Sequence, residues 1–227
     1  MNTLSGKTKA RQIELKKKYG EERVFAVPFQ FTSIIDDLFT PWNYSKTKKD
    51  VFGGILPYGK FILRADAEED ISFQQIIPYA FITDNHGNYY ISRRKQGEKR
   101  LQGMLSLGFG GHINPKDDMR HGVENMVFNG LKRELEEETT IKRIKDYVIK
   151  PYGLVRDLKS STPDHIGIVF EITISDGAKN KLNIREKNKL KGTWMSIKDI
   201  IREYECFESW AQLIIAHLTL GKKHSSL

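Results

Sequence analysis

The feature that most constrains the fold is a periodic apolar pattern near the middle of the 227-residue chain. Val123, Val127, Leu131 and Leu135 recur every four residues. This spacing places their side chains in one stripe along an α-helix. The pattern therefore predicts a helix from about Val123 to Glu138 with one buried side, the longest helix expected in the chain.

The second half of this helix carries an unusual group of acids. The segment from Arg133 to Ile141 reads RELEEETTI. At about 100° per residue, Glu134, Glu137 and Glu138 fall within one arc of roughly 100°. Glu136 points nearly the opposite way. The sequence thus gathers three carboxylates on one surface, beside the apolar stripe.

Neighbouring carboxylates on a helix repel each other by a few tenths of a kcal/mol per exposed pair. A divalent cation reverses the sign of that interaction, and carboxylate oxygens are ligands that Mg²⁺ and Mn²⁺ prefer. The segment taken alone is also compatible with a solvated acidic helix face. Its context favours the metal site, because a strand and a glycine pair are predicted before it and a strand-rich half follows.

The elements around the helix alternate between strand and helix patterns. Residues 75–83 and 89–93 are rich in β-branched and aromatic residues and flank the turn formers of residues 84–88, which predicts a β-hairpin. Further strands are predicted at residues 147–155, 166–174 and 192–196, and helices at residues 197–204 and 207–220.

The first third of the chain has a different composition. Residues 11–19 predict a short helix ended by Gly20. Residues 24–63 are aromatic-rich and interrupted by Pro and Gly, which favours irregular structure or short strands. Residues 65–70 are interpreted as an acidic linker. The predicted organisation is an N-terminal extension over residues 1–71, a main domain over residues 72–221 and a flexible tail over residues 222–227.

The carboxylate segment resembles the motif of the Nudix hydrolase family. That motif is G, five residues, E, seven residues, then R-E-U-x-E-E-x-G-U, where U is aliphatic. Gly111 looks like its opening glycine. The second half is matched residue by residue by Arg133, Glu134, Leu135, Glu137, Glu138 and Ile141.

The resemblance extends from about residue 72 to residue 220. Residues 194–200 look like the aromatic-led strand that enters a helix late in this family. Residues 75–79, 98–101 and 110–114 resemble a branch of predicted phosphoesterases. The resemblance implies an α/β (α+β) fold, in which a mixed β-sheet is sandwiched between helices.

The chain departs from the family motif at three places. The interval from Gly111 to Arg133 is longer than in the motif, so residues 114–122 are predicted to be an inserted loop. Asn125 occupies the position of the first glutamate, with Glu124 one place out of register. Thr140 stands where the motif has glycine, and a β-branched residue is poorly suited to a left-handed turn. We therefore expect the helix either to end in another way or to carry strain.

The resemblance implies a hydrolase that depends on Mg²⁺ or Mn²⁺ and cleaves a phosphate anhydride in a nucleoside diphosphate linked to another group. Its implied metal ligands are Glu134, Glu137, Glu138 and Gly111. Glu134 is the first choice for the catalytic base, and Arg133 is expected to orient Glu137. Glu186 and Asp164 are reserve bases for which a role as ordinary surface acids is the alternative.

Several residues are candidates for substrate contacts. Arg93, Arg94 and Arg100 follow the predicted hairpin and are suited to bidentate phosphate binding. A solvated basic loop is the alternative for Arg93 and Arg94. Gly110 would let the backbone approach a phosphate. His112 is expected to be structural or adjacent to substrate rather than a metal ligand, because no second histidine lies at ligand spacing in the sequence.

Charge and cysteine content bear on the partners and the compartment. The net charge of +8 indicates either an anionic partner or a surface kept soluble by lysine. The single cysteine, Cys206, excludes an internal disulfide and fits a reducing compartment. No apolar run approaches the roughly 18 to 20 residues that cross a bilayer, and no signal peptide is recognised. We therefore expect a soluble, cytoplasmic protein without a membrane partner.

Alternatives to the hydrolase remain open at this stage. A Nudix-type module that binds a nucleotide without cleaving it is one. Isopentenyl diphosphate isomerases share the scaffold, but they use a cysteine near the glycine-rich strand, and Cys206 lies elsewhere. A nucleic-acid substrate is not favoured, because aromatic residues are not interleaved with the basic segments and no RNA-binding module is recognised. A small-molecule nucleotide or other diphosphate is the expected partner, and a homodimer is one expectation for the assembly.

Overall fold

The computed structural model describes residues 6–33, 35–36, 38–95, 103–117, 120–160, 162–188 and 190–223. Its strands are β1 Arg23–Pro28, β2 Leu38–Pro41, β3 Lys60–Leu63, β4 Phe73–Asp84, β5 Asn88–Arg94, β6 Leu105–Ser106, β7 Gly108–Gly110, β8 Tyr147–Arg156, β9 His165–Ile174 and β10 Leu190–Ser196. Its α-helices are α1 Gly6–Tyr19, α2 Phe29–Thr32, α3 Lys46–Lys48, α4 Arg64–Ala67, α5 Val123–Glu138, α6 Asp176–Lys179, α7 Ile197–Arg202 and α8 Ser209–Lys223. Shorter helical segments are Lys49–Ile55 (π-helical) and the 3-10 turns Leu56–Tyr58, Pro115–Asp117, Ile141–Arg143 and Tyr204–Cys206.

The strands form one mixed sheet, and β4 lies in its centre. Along the main path the order is β10-β5-β4-β9-β8-β2, while β1 and β7 also pair with β4. The pairing of β4 with β9 is parallel and runs from Gln75 opposite His165 to Asp84 opposite Ile174. β7 pairs antiparallel with β4, with Gly110 opposite Tyr79. The start of β9 and the end of β7 are therefore brought to the same half of β4.

Both faces of the sheet are covered, which explains why β4 is almost continuously apolar. Ile76, Ala80 and Ile82 belong to the core cluster that contains the buried side of α5. Phe81 belongs to a second cluster that contains the buried residues of α8. Alternate residues of β4 thus face two different helical layers. The predicted fold class, a mixed sheet between helices, is confirmed.

Helix α5 follows the predicted apolar pattern closely. Its bounds are Val123–Glu138, as the periodicity predicts, and Val127, Leu131 and Leu135 are buried. The stripe is extended by Met126, also buried, and by Phe128, whose ring lies 5.1 Å from the ring of Phe170 in β9. The helix is therefore fixed against the sheet along its length, so its acidic side has a defined direction.

The N-terminal region joins the same sheet. β1 pairs with the start of β4, with Ala26 opposite Gln75, and also with β3. The predicted helix is present as α1, and Gly20 ends it with a φ of +56°. Strands of four to six residues occur in the aromatic-rich stretch, as expected. The boundary between residues 71 and 72 stays a prediction, and the sheet continues across it.

One prediction for this region is wrong. Residues 65–70 were expected to be a linker, but α4 begins at Arg64, and Ala65 and Ala67 are fully buried. The segment is so rich in acidic residues that its composition gives no sign of the two small apolar residues. Their spacing places them against the sheet. Of the predicted tail, residues 222 and 223 end α8, and residues 224–227 lie outside the described part. No helix within the described ranges is both long and apolar enough to span a bilayer.

The hairpin between β4 and β5 is held by a buried aspartate. Asp84 Oδ1 accepts hydrogen bonds from the backbone N–H groups of His86 at 2.9 Å and Asn88 at 2.8 Å. Its Oδ2 accepts from Lys179 Nζ at 2.6 Å and from Asn88 Nδ2 at 2.8 Å. Burial alone would raise the pKa of Asp84, but these donors outweigh burial and hold the pKa below its usual range.

Replacement of Asp84 by Asn should lower the free energy of unfolding at pH 7 by about 1 to 3 kcal/mol. The NH₂ group of the new side chain would then face two donors, Lys179 Nζ and Asn88 Nδ2, in place of an accepting oxygen. A carboxyl whose pKa is lowered by folding stabilises the protein above its unfolded pKa, about 3.9, and less as the pH falls toward its folded pKa. The difference between parent and variant should therefore narrow below about pH 4 in denaturant titrations. The exposed Asp146→Asn is the control, and equal stabilities of D84N and parent at pH 7 would contradict the assignment.

Candidate active site

Two glycines bring the chain after β7 against the carboxylate side of α5. A Cβ atom added to Gly111 would lie 2.4 Å from Cδ of Glu134, and one added to Gly110 would lie 2.2 Å from the carbonyl oxygen of Pro78. At Gly110 the neighbour is backbone, so this position requires glycine for close approach. At Gly111 a side chain would displace the Glu134 carboxylate from its present place. The backbone at Gly111 therefore lies directly beside the Glu134 carboxylate.

The guanidinium of Arg133 joins this segment to the helix. Its Nε and Nη2 donate to the two carboxylate oxygens of Asp117, at 2.8 and 2.9 Å. Nη2 also donates to the carbonyl oxygen of His112 at 2.7 Å, and Nη1 donates to Glu134 Oε1 at 2.5 Å. Such a planar fork restrains both partners at once. Arg133 lies 3.7 Å from Glu137, the partner expected from the sequence, so its hydrogen bonds serve Glu134 and Asp117 instead.

Asp117 is a residue of the candidate site that the sequence does not reveal. It lies in the predicted inserted loop, where the structure has the 3-10 turn Pro115–Asp117. Its side chain is 3% exposed, and its Oδ2 also accepts from the backbone N–H of Asn114 at 2.9 Å. No motif relates an acid to an arginine sixteen residues later. The buried ion pair exists because the loop folds back onto α5.

The three carboxylates of α5 differ in their surroundings. Glu137 is exposed, with 55% of its side chain accessible, whereas 17% of the Glu134 side chain is accessible. Burial, together with the negative charge of Glu134, raises the pKa of Glu138 to about 8, and the charge of Arg94 opposes this shift. Burial also raises the pKa of Glu134, against the effect of Arg133. The positive charges of Arg133 and Arg94 therefore do not fully compensate the negative charges of Glu134 and Glu138.

The chemistry of this donor set suits a hard divalent cation, although in the described structure the oxygen atoms of Glu134, Glu137 and Glu138 do not all lie within 4.8 Å of one another. Like-charged carboxylates that are kept out of water gain from a cation between them, and Mg²⁺ takes carboxylate and carbonyl oxygens as ligands. The residues that would hold it are Glu134, Glu137 and Glu138, with the carbonyl of Gly111. This ligand set remains a prediction, and the chemistry of the donors is compatible with it.

The structure shows how the chain accommodates its departures from the family motif. Thr140 has a φ of −89°, so the helix ends without a left-handed residue, as expected. Its hydroxyl instead donates to the carbonyl oxygen of Lys181 at 2.6 Å. Glu124 pairs with Lys48 in the first turn of α5, and Asn125 donates to the carbonyl oxygen of His121. At 1.5 Å per residue, Glu124 and Asn125 lie roughly 13 to 21 Å along the helix from the carboxylates, so neither belongs to the group.

The arginines proposed for substrate binding have different positions. Arg94 acts electrostatically on Glu138 and therefore lies near the carboxylates. Arg93 is exposed and pairs with Glu203 at 3.3 Å. Arg100 lies outside the described residues. Glu186, a reserve base, adds negative charge near Glu138.

Asp164, the other reserve base, is not a surface acid. It is 7% exposed and accepts hydrogen bonds from Gln75 Nε2 at 2.6 Å and from His165 Nδ1 at 3.1 Å. Burial alone would raise the pKa of Asp164, but the bonds from His165 and Gln75 lower it. The structure thus places Asp164 behind a histidine, where it orients that ring.

His112 has a histidine neighbour that the sequence spacing does not show. The parallel pairing of β4 and β9 places His165 beside it, and the two Nε2 atoms are 3.3 Å apart. No second histidine lies at ligand spacing in the sequence, but the fold places His165 next to His112. The inference from sequence spacing against a histidine pair is therefore wrong. A spacing rule based on one helix or loop cannot detect a pair formed by strands distant in sequence.

A cavity of about 520 Å³ opens beside Gly111. This is within the size range of small-molecule sites. Its walls combine charged, hydroxyl and aromatic groups, including Arg64, Tyr79, His112, Thr162, His165 and Trp210. The indole Nε1 of Trp210 is buried without a hydrogen-bond partner in the part of the chain that the structure describes. Arg64 comes from the N-terminal region, which therefore contributes to the cavity as well as to the sheet.

Comparisons with known proteins agree with this architecture. The chain has the same fold as Tm1382, a candidate Nudix hydrolase of known crystal structure, with a TM-score of 0.68 and 22% sequence identity. The superposition covers 87% of this chain and 98% of Tm1382, so the shared fold extends into residues 1–71. The molecule is thus a Nudix-fold protein, which confirms the resemblance seen in the sequence. No protein-family model matches the chain.

A closer relation is found with Protein YmaB of Bacillus subtilis (strain 168). The two sequences are 35% identical over 156 residues, which are 67% of this chain and 74% of YmaB. The chain belongs to the same family as YmaB.

Replacement of Asp117 by Asn should destabilise the fold, because it removes the charge that compensates the largely buried Arg133. We expect the free energy of unfolding to fall by about 2 to 3 kcal/mol, below the range for fully buried pairs. Denaturant titration checks this, with Asp146→Asn as an exposed control. A loss of stability in D117N no larger than that in D146N would show that the hydrogen bonds of Arg133 do not hold the loop.

Proposed function

We propose that this protein is a Mg²⁺- or Mn²⁺-dependent hydrolase of a phosphate-anhydride bond, acting on a nucleoside diphosphate linked to another group. The observation that carries the proposal is the position of Glu134, against the backbone of Gly111 and beside a cavity of about 520 Å³. The carboxylate that we propose as a metal ligand therefore lies next to a residue, Gly111, that lines a cavity of ligand size.

The proposed ligands of the ion are Glu134, Glu137, Glu138 and the carbonyl of Gly111. The ion would supply the screening of phosphate charge and the lowered pKa of a bound water. Glu134 is the proposed base: Arg133 holds its Oε1, which fixes the plane of the carboxylate and leaves Oε2 outside that bond. Arg133 is a positioning residue in this proposal, because its hydrogen bonds go to protein groups.

The cavity wall supports a nucleotide-like substrate. Arg64 offers a positive charge for phosphate, and Ser160 and Thr162 offer hydroxyl groups. Tyr79 and Trp210, in edge-to-face contact at 5.9 Å, provide an aromatic wall on which a base or another planar group can pack. A cytoplasmic location is part of the proposal, since the one cysteine is free and fits a reducing compartment.

The test compares two glutamates one residue apart on α5. Glu137→Gln removes a proposed ligand whose side chain is mostly exposed, so folding should be preserved. Glu136→Gln is the matched control, because Glu136 points away and pairs with Lys142 at 3.2 Å. Turnover of nucleoside diphosphate derivatives with Mg²⁺, followed by chromatography, should fall about 100-fold or more in E137Q, since a ligand should matter at least as much as its outer-shell partners. Turnover in E136Q should remain close to that of the parent.

Equal turnover in E137Q and the parent would contradict the ligand assignment. Binding of nucleotides without any product in the parent would instead support a non-catalytic nucleotide sensor, the second candidate function. The rise in the pKa of Glu138 favours the hydrolase over the sensor, because a binding module has no need to keep acids where they repel each other.

A further inference from the structure

A group of metal-type donor atoms lies beside the cavity, separate from the carboxylates of α5, and two of its three residues, His112 and His165, line the cavity. Glu68, His112 and His165 each offer one ligand atom, and these atoms all lie within 4.8 Å of one another. The three residues follow α4, follow β7 and begin β9, respectively. Three elements distant in sequence therefore converge on one point.

The two histidines have the separation that a shared ion requires. Their Nε2 atoms are 3.3 Å apart, and their rings meet at an interplanar angle of 73°. Two nitrogen ligands at 2.0 to 2.1 Å from a tetrahedral Zn²⁺ lie about 3.4 Å apart. The observed separation is therefore close to that of two ligands of one ion.

The tautomer of His165 is suited to metal binding. Its Nδ1 lies 3.1 Å from Asp164 Oδ1, and Asp164 Oδ2 already accepts from Gln75 Nε2 at 2.6 Å. A carboxylate accepts hydrogen bonds, so Nδ1 donates and the lone pair of neutral His165 is on Nε2, which faces His112. The chain of carboxylate, histidine and ion is the usual arrangement around metal-binding histidines.

The charges around the cluster leave room for a divalent cation. Arg64 Nη1 pairs with Glu22 at 3.0 Å, and Arg64 Nε pairs with Glu68 at 3.4 Å. Glu22, Glu68 and Asp164 together carry three negative charges when ionised, against one positive charge on Arg64. The two histidines are neutral when they act as ligands. Arg133, whose charge also acts on His112, is paired with Asp117 and Glu134. The local charge is therefore negative, and a divalent ion would reduce it.

We infer that Glu68, His112 and His165 form a binding site for a divalent transition-metal ion of the Zn²⁺ type, with a coordination position open to the cavity. Imidazole ligands favour such ions over Mg²⁺. Three protein ligands leave a fourth position, and both histidines line the cavity. An anionic oxygen of a cavity ligand can occupy that position. The inference is independent of the proposed hydrolysis, since it concerns binding of the metal alone.

The test uses the full chain, freed of metal by a chelator and titrated with Co²⁺ while the visible absorption is measured. Four- or five-coordinate Co²⁺ with imidazole ligands absorbs strongly, whereas six-coordinate Co²⁺ among oxygens absorbs weakly. We expect one equivalent of Co²⁺ to produce the strong band and Zn²⁺ to displace it. The affinity should fall at least 100-fold in His165→Ala and Glu68→Gln. It should fall about 10- to 100-fold in Asp164→Asn, which alters the hydrogen-bond partner of His165 and leaves the three ligands in place.

Two variants serve as controls. His86→Ala removes an exposed histidine that pairs with Asp176, and Glu137→Gln removes a proposed ligand on α5. Both should keep the strong band, and E137Q should keep it even where its turnover is lost, which separates this site from the proposed hydrolase. If H165A fails to fold, Glu68→Gln still tests the site. Circular dichroism, recorded in the presence of chelator, checks that each variant is folded.

No strong band in the parent, or an unchanged band in both H165A and E68Q, would overturn the inference. A band that disappears in E137Q but persists in H165A would also overturn it, because it would place the ion on α5.

Discussion

The hydrogen-bonded fork of Arg133 is the interaction on which the rest of the site depends. Its side chain is 16% exposed and donates to Asp117, Glu134 and the carbonyl oxygen of His112. Without this link, the exposed pair of Lys116 and Glu137, 3.7 Å apart, would be left to connect the loop after β7 to α5. The Glu134 carboxylate would also lose the hydrogen bond that fixes its orientation. The absence of a side chain at Gly111 is the matching steric condition, because it allows backbone and carboxylate to meet. Electrostatics and packing thus act together to place negative charge at the edge of a cavity.

The parallel pairing of β4 with β9 is the second constraint. It brings His165 opposite Gln75 and so places a histidine from the second half of the chain near His112. The pairing of β1 with the same end of β4 brings the N-terminal region alongside, with Arg64 and Glu68 after it. The cavity is therefore built from distant parts of the chain, including residues 208–210 at the start of α8. The N-terminal region contributes Arg64 to its wall.

The parts that the sequence predicts well are those governed by local periodicity. Helix α5 and the hairpin around Asp84 follow from apolar spacing and turn formers, and the altered helix end follows from the unsuitability of Thr140 for a left-handed turn. The sequence does not reveal Asp117 or the neighbour of His112. Both depend on how a loop or a strand is placed by the sheet, and that placement leaves no signal at short spacing. The buried alanines of α4 were missed for a related reason, since acids outnumber them in the segment.

The central claim is that the carboxylates of α5 hold a hard divalent ion at the border of the cavity. A crystal of the full chain soaked in Mn²⁺ and measured for anomalous scattering tests it most directly. We expect an anomalous peak at coordination distance, about 2.2 Å, from carboxylate oxygens of Glu134 and Glu138. Side chains of α5 that point apart with no peak between them, at a Mn²⁺ concentration that supports any activity, would contradict it.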